Sequence, residues 1–267
     1  MTFEQMWHYG MLAFKNGIVM EQGQMSFEPG IIVLCAGVCM LIGYLIGSLN
    51  FGVIISRIYG QDIREKGSGN AGATNMMRVY GKKASILTLA CDALKTIIAV
   101  LLARFLVFGY LGAYIAGISV ILGHAWPVYF KFKGGKGVAA ISAFCLVTEP
   151  WIFLIELVIF LIILFGFKMV SLGSVMIALI FPLMVFNFRG AGIHIILALI
   201  AAGLVVFLHR QNIVRIYNHT EHKFSFGKKK QPKSEPTSEE LAEAPAQLEE
   251  NQNEEDKICP QCGAGLK

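Results

Sequence analysis

The chain has 267 residues, 55% of them hydrophobic and only 15% charged, with 23 Lys and Arg against 18 Asp and Glu for a net charge of +5. A soluble domain carries about 25% charged residues, so this balance excludes a large water-soluble core. The charges are also clustered: Ile31–Ser56, Phe105–Gly123, Met169–Phe188 and Gly190–Leu208 contain none, and about 20 apolar residues cross a bilayer core. The class is therefore an all-α, polytopic membrane helix bundle.

In chain order, residues 1–30 set Glu4, Glu21 and Glu28 against Lys15. They lack the basic segment and apolar core of a signal peptide and read as an extracytoplasmic lead-in. Ile31–Tyr59 is expected as one long helix. Ala84–Gly123 holds 40 residues, enough for two crossings, with Gly109 and Gly112 marking the turn. Val138–Phe167 breaks at Glu149–Pro150 into a shorter pair, fully crossing or re-entrant with the same sidedness. Val170–Asn187 and Ile193–Leu208 complete a predicted set of seven. Cations concentrate in Gln61–Lys83, His124–Lys136 and the segment after Leu208. The positive-inside rule puts these three segments in the cytoplasm, with the N-terminus outside and the C-terminus inside.

The membrane-embedded domain is expected over 31–224, followed by a disordered cytoplasmic tail over 225–257, rich in Pro, Glu, Gln and Lys. Residues 258–267 form a Cys-Pro-x-Cys-Gly knuckle, whose turn points the Cys259 and Cys262 thiols at one place. Three options stay open for it: a zinc half-site completed by a second chain, with self-association through the tail; a degenerate remnant; or a metal-free thiol pair. Cys35, Cys39, Cys91 and Cys145 lie in apolar spans and read as small buried hydrophobes. Asp92 and Lys95, three apart on one helix face, read as a structural ion pair or as support for a buried anion site. Arg104 reads as a snorkelling residue, and Glu156 and His194 as satisfied interior contacts.

Three polar motifs fall at predicted cytoplasmic ends of spans. In GSGNAGATNMMR, every residue from Gly67 to Asn75 is Gly, Ala, Ser, Thr or Asn. Such a stretch cannot build a packed core, but it brings backbone N–H groups and short polar side chains close to an anion. Ser68, Asn70, Thr74 and Asn75 supply donors, and Arg78 supplies a charge. The second motif is GHAWPVYFKFKGGKG, where Gly134, Gly135, Lys136 and Gly137 directly precede an apolar helix. A glycine loop opening a helix offers free N–H groups and the positive dipole end. The Walker A spacing is absent, so nucleotide hydrolysis is disfavoured. The third motif, HRQNIVRI, puts His209 and Asn212 on one helical face. Ser171 and Ser174 in SLGS lie one turn apart at a helix start, and one offers a cap and the other a ligand contact. Converging cations and amides on one membrane face imply an anionic, phosphate-bearing substrate and a lipidic co-substrate or product.

GSLNFG, GSGNAGATNMMR, GHAWPVYFKFKGGKG, SLGS and HRQNIVRI, in this order between these spans, resemble the PlsY family, the bacterial acyl-phosphate:glycerol-3-phosphate acyltransferases. The resemblance covers about residues 31–224. It implies a seven-helix enzyme of the bacterial inner membrane, its active site toward the cytoplasm. It also implies that acyl phosphate and glycerol 3-phosphate give lysophosphatidic acid and phosphate, opening phospholipid synthesis. By position, Ser68, Arg78, Lys136, His209 and Asn212 match the family's substrate-binding and catalytic residues, with Asn70, Thr74 and Ser174 as secondary matches. The chain departs from the family at Asn50, where proline is common, and at His219-Thr220-Glu221, where glycine commonly precedes the acidic residue. No cofactor and no active-site metal are expected. The expected partners are the two substrates and membrane lipids, with no nucleic acid.

None of the six histidines has Asp five positions on, which argues against the His-x4-Asp class of glycerolipid acyltransferases. The competing class is a small-organophosphate transporter, disfavoured by the absence of an obvious inverted repeat.

Overall fold

The computed structural model describes residues 29–105 and 109–224. The acidic lead-in up to residue 28 and the tail with Cys259 and Cys262 lie outside the described residues.

The described chain is built of helices: α1 (Pro29–Gly47), α2 (Phe51–Ile58), α3 (Ala73–Tyr80), α4 (Lys82–Ala103), α5 (Gly109–Ala125), α6 (Val138–Thr148), α7 (Pro150–Phe167), α8 (Val170–Arg189), α9 (Ile193–Leu208) and α10 (Arg210–Tyr217). By length and composition five stretches can cross a bilayer, or six if α9 and α10, bent by 59°, count as one span. α6 has 11 residues, about 16 Å at 1.5 Å per residue, roughly half the hydrocarbon thickness.

The stretch expected as a single helix over 31–59 is two helices. Asn50 stands outside helical geometry and its side chain accepts a hydrogen bond from the Val53 amide at 3.2 Å. It thereby caps α2 in the manner of a helix N-cap. This gives a physical role to the residue that replaces the family's proline.

α5 is the centre of the bundle. It packs against α1, α4, α6 and α9, and most of its length is buried, Tyr114, Val120 and Ile121 completely. Small residues permit this. A Cβ added to Gly47 would lie 2.7 Å from Val120 Cα and closer still to its carbonyl oxygen. Lipid tails are as apolar as core side chains, so close backbone packing rather than a hydrophobic drive holds such helices together. α7 stands at the periphery, with only Ile152 and Glu156 buried.

The two ends of the bundle differ. At one end Glu149 takes Arg189 at 2.9 Å and the Tyr114 hydroxyl at 3.1 Å, and Arg104 donates to the Val147 carbonyl at the end of short α6. The other end gathers the three basic segments. Arg64 donates to the carbonyls of Phe130 (2.7 Å) and Lys133 (3.2 Å), and Lys136 donates to Asn212.

Candidate functional site

The polar loop after α2 is organised by one side chain. Asn75, buried on α3, accepts from the Ser68 amide at 2.9 Å. Its amide group donates to the carbonyls of Lys66 (2.9 Å), Asn70 (3.0 Å) and Ile63 (3.3 Å). Every polar atom of Asn75 is therefore spent on loop geometry. Gly67 and Gly69 take φ of +59° and +72°, the left-handed region open to glycine. The result is a rigid loop with Ser68, Thr74 and Arg78 exposed. Asp62 pairs with Arg64 at 2.6 Å, and that hydrogen-bonded guanidinium holds the Asp62 carboxyl below its usual range. The same arginine ties this loop to the one carrying Lys136. Sequence reading counted Arg64 only as part of a basic segment.

In the second motif the Gly134 and Gly135 amides are occupied, donating to the carbonyls of Ala125 (3.1 Å) and His124 (3.0 Å). These two glycines act through close approach rather than through free donors. A Cβ on Gly135 would lie 3.1 Å from His124 Cδ2 and closer to its Nε2. Gly137, at φ +73°, caps α6 without a side-chain hydrogen bond, so the first-turn amides of α6 keep their donor capacity.

Lys136 is the junction of the site. It donates to Asn212 Oδ1. Asn212, buried at the start of α10, donates in turn to Ser171 Oγ (2.7 Å) and Glu221 Oε1 (2.8 Å). Ser171 also donates to Glu221 Oε1 at 2.6 Å, and Arg215 pairs with Glu221 Oε2 at 2.8 Å. Burial, reinforced by Arg215 and Arg78 and opposed by Glu221, lowers the Lys136 ammonium to about 8. A cation surrounded by cations with one carboxylate nearby is an electrostatic demand for an anion.

Glu221 and Arg215 are site residues that motif reading passed over. Glu221 follows a turn rather than a helix, so no periodicity marks it. The turn passes through His219, which holds φ +56°. Thr220 N then donates to Arg215 O at 2.8 Å, and the chain doubles back.

His209 is the hinge between α9 and α10 and is almost fully buried. Its Nδ1 lies 2.8 Å from the Val205 carbonyl. A carbonyl can only accept, which puts the proton on Nδ1 and leaves Nε2 as a lone-pair acceptor at neutral charge. The ring is within electrostatic reach of Lys136 and Glu221.

The structure thus joins Lys136 and Asn212 directly, with Arg78 and His209 close to them. Ser68, Asn70 and Thr74 have no side-chain hydrogen bond to this group among the described residues. Of the two serines in SLGS, Ser171 is hydrogen-bonded to Asn212, while Ser174 is buried and donates to Val170 O at 2.9 Å. No group of three or more His, Cys, Asp or Glu able to hold a metal occurs among the described residues.

Residues 37–219 match the family described as Glycerol-3-phosphate acyltransferase. The chain is similar to the glycerol-3-phosphate acyltransferase of Thermoanaerobacter pseudethanolicus, at 44% identity over 68% of this chain and 92% of that protein. It is also similar to that of Geotalea daltonii, at 40% identity over 70% and 97%. Among solved structures it resembles PlsY (YgiH), an integral membrane glycerol 3-phosphate acyltransferase. The glycerol 3-phosphate form is 35% identical with a TM-score of 0.68, covering 71% of this chain and 96% of that one. The lysophosphatidic acid form is 34% identical with a TM-score of 0.66, covering 72% and 96%. With a helical architecture, motif order and matched span that all agree, the chain belongs to the PlsY-type glycerol-3-phosphate acyltransferase family.

Proposed function

We propose that this protein transfers an acyl group from acyl phosphate to the 1-hydroxyl of sn-glycerol 3-phosphate. It releases lysophosphatidic acid and inorganic phosphate at the cytoplasmic face of a bacterial inner membrane. The observation that carries this reading is the charge of the cluster around Lys136. Lys136, Arg78 and Arg215 set three positive charges against the one negative charge of Glu221, leaving two in excess. Two phosphate-bearing substrates must be held close together despite their repulsion, and this cluster is suited to that task.

Acyl phosphate is a mixed anhydride with a good leaving group, so no covalent enzyme intermediate is needed. The work is positioning and electrostatics. The glycerol hydroxyl oxygen forms its bond to the carbonyl carbon. The bond from that carbon to the phosphate oxygen breaks, and the electron pair leaves with phosphate. The hydroxyl proton goes to His209 Nε2 or to a substrate phosphate oxygen. Lys136 and Arg78 bind the phosphates, and the exposed Ser68 hydroxyl donates to a substrate oxygen. Asn212, whose amide hydrogens are engaged by Ser171 and Glu221, acts by aiming Lys136.

The test is an assay of purified protein in lipid nanodiscs with glycerol 3-phosphate and either acyl phosphate or acyl-CoA. Lysophosphatidic acid formed with equimolar phosphate from acyl phosphate alone is the expected result. Equal turnover of acyl-CoA would overturn the donor assignment. Uptake of labelled glycerol phosphate into proteoliposomes without acylation would overturn the reaction itself.

A further inference from the structure

The mechanism above uses no residue of α4, yet α4 carries the most deeply buried charges in the bundle. Asp92 and Lys95 are 2% and 4% exposed. A buried ion pair is costly to desolvate and adds little net stability over an apolar pair, so its other contacts carry its meaning.

Lys95 Nζ lies 2.7 Å from Asp92 Oδ1, 2.9 Å from Gly47 O, 2.6 Å from Leu49 O and 3.2 Å from His124 Nδ1. Gly47 ends α1, and Leu49 lies in the interruption between α1 and α2. An interrupted helix leaves carbonyls without intrahelical partners, and at membrane depth water is not available to satisfy them. The ammonium supplies that need as a built-in cation, and Asp92 balances its charge.

The fourth neighbour reaches the site. His124 Nδ1 also lies 3.5 Å from Asp92 Oδ1, so its ring meets both members of the ion pair. The His124 carbonyl accepts from the Gly135 amide at 3.0 Å and from Asn50 Nδ2 at 3.4 Å. Its ring packs against Gly135, the residue before Lys136. Gly135 also borders Ala71, since a Cβ added there would lie 3.2 Å from Ala71 O. A Cβ on Gly52 in α2 would approach the same residue, 2.9 Å from Ala71 C. The unwound segment and the loop bearing Lys136 therefore meet at Lys95 and His124, and the loop bearing Ser68 borders the latter loop through Ala71 and Gly135.

We infer that Lys95 is a positioning residue of acyl transfer: it fixes the α1–α2 interruption and, through His124, sets the Gly134–Lys136 loop in its anion-binding conformation. Its role in turnover rests on the function proposed above. Its effect on the loop does not.

Without this anchor the loop samples more conformations, and a substrate binds only the competent fraction. Apparent affinity falls in proportion to that fraction, while saturating substrate restores the competent state. For Lys95→Met the expected result is a KM for glycerol 3-phosphate raised about tenfold with kcat changed less than about threefold. Hydrogen exchange by mass spectrometry should rise in peptides covering 124–137 and not in those covering 175–189. Removing one partner leaves Asp92 uncompensated, so the charge-neutral double variant Asp92→Asn/Lys95→Met is measured beside it and is expected to give the same pattern. If neither single nor double variant accumulates as folded protein, or if kcat falls with KM and loop exchange unchanged, the role is structural and the inference is overturned. Unchanged kinetics with unchanged exchange overturns it as well. If wild type forms no lysophosphatidic acid, the proposed function fails, and loop exchange alone still decides the link from Lys95 to Lys136.

Discussion

Lys136 and Asn212 stand 76 residues apart in the chain and meet as donor and acceptor. Neither is at the end of its chain of contacts. Asn212 is fixed by Ser171 and Glu221, so the direction of its carbonyl oxygen, and with it the ammonium, is set by α8 and by the turn after α10. Lys136→Met and Asn212→Ala should each lower kcat/KM, the lysine by about 10²- to 10³-fold, as when a preorganised electrostatic group is removed. If Asn212 works through Lys136, the double variant should lose little beyond Lys136→Met alone, a non-additivity typical of residues in one network. Fully additive losses in that cycle would show that the two act separately.

Lys136 at about 8 implies a pH limb. The protonated form binds phosphate, and it is fully present below that value. kcat/KM for glycerol 3-phosphate should fall as pH rises through about 8, approaching tenfold per unit beyond it. Lys136→Arg stays charged at all working pH, so any activity it keeps should show no such limb. An unshifted limb in that variant would assign the titration to another group.

The Glu221 carboxylate, its side chain 5% exposed, lies between Arg215, Asn212 and Ser171. Burial pushes its carboxyl up, and the hydrogen bonds from Ser171, Arg215 and Asn212 more than reverse this, so it titrates below its ordinary value of 4.5. A depressed carboxyl contributes stability that is present above its unfolded value and is lost as pH falls through its folded one. Glu221→Gln should lower the thermal midpoint at pH 7 by a loss on the order of 1–3 kcal/mol. The gap between variant and wild type should narrow in acid, below the ordinary carboxylate range. A gap that widens on acidification would contradict the assignment.

His219 occupies the left-handed region at φ +56°, a conformation that costs an L-residue roughly 1 kcal/mol. His219→Gly relieves that strain but adds freedom to the unfolded chain. The net expectation is a small rise in thermal stability with kcat/KM within about twofold, because the backbone path to Glu221 is preserved. His219→Val, a β-branched residue that resists positive φ, should destabilise and reduce activity together. Equal stability of the two variants would mean that the turn does not depend on this conformation.

The membrane class, the bundle and the three polar motifs were legible in the chain because they depend on local quantities: apolar run length, clustered charge, glycine content and motif order. The positive-inside rule supplies only the expected common side of the segments carrying Ser68, Arg78, Lys136, His209 and Asn212; the resemblance singles out the residues themselves. What stayed hidden were relations between distant segments. Asn75 reads as one more donor for a ligand, yet its amide is consumed by the Ile63, Lys66 and Asn70 carbonyls. Gly134 and Gly135 read as open anion donors, yet their amides already serve His124 and Ala125. Glu221 carries no periodic signal, and Asp92 and Lys95 read only as a pair. Local sequence determines which groups a segment can offer. Whether a hydrogen-bond donor remains available to a ligand depends on which other backbone comes within about 3 Å of it, and only the packing of α1, α4, α5 and α8 around the site decides that.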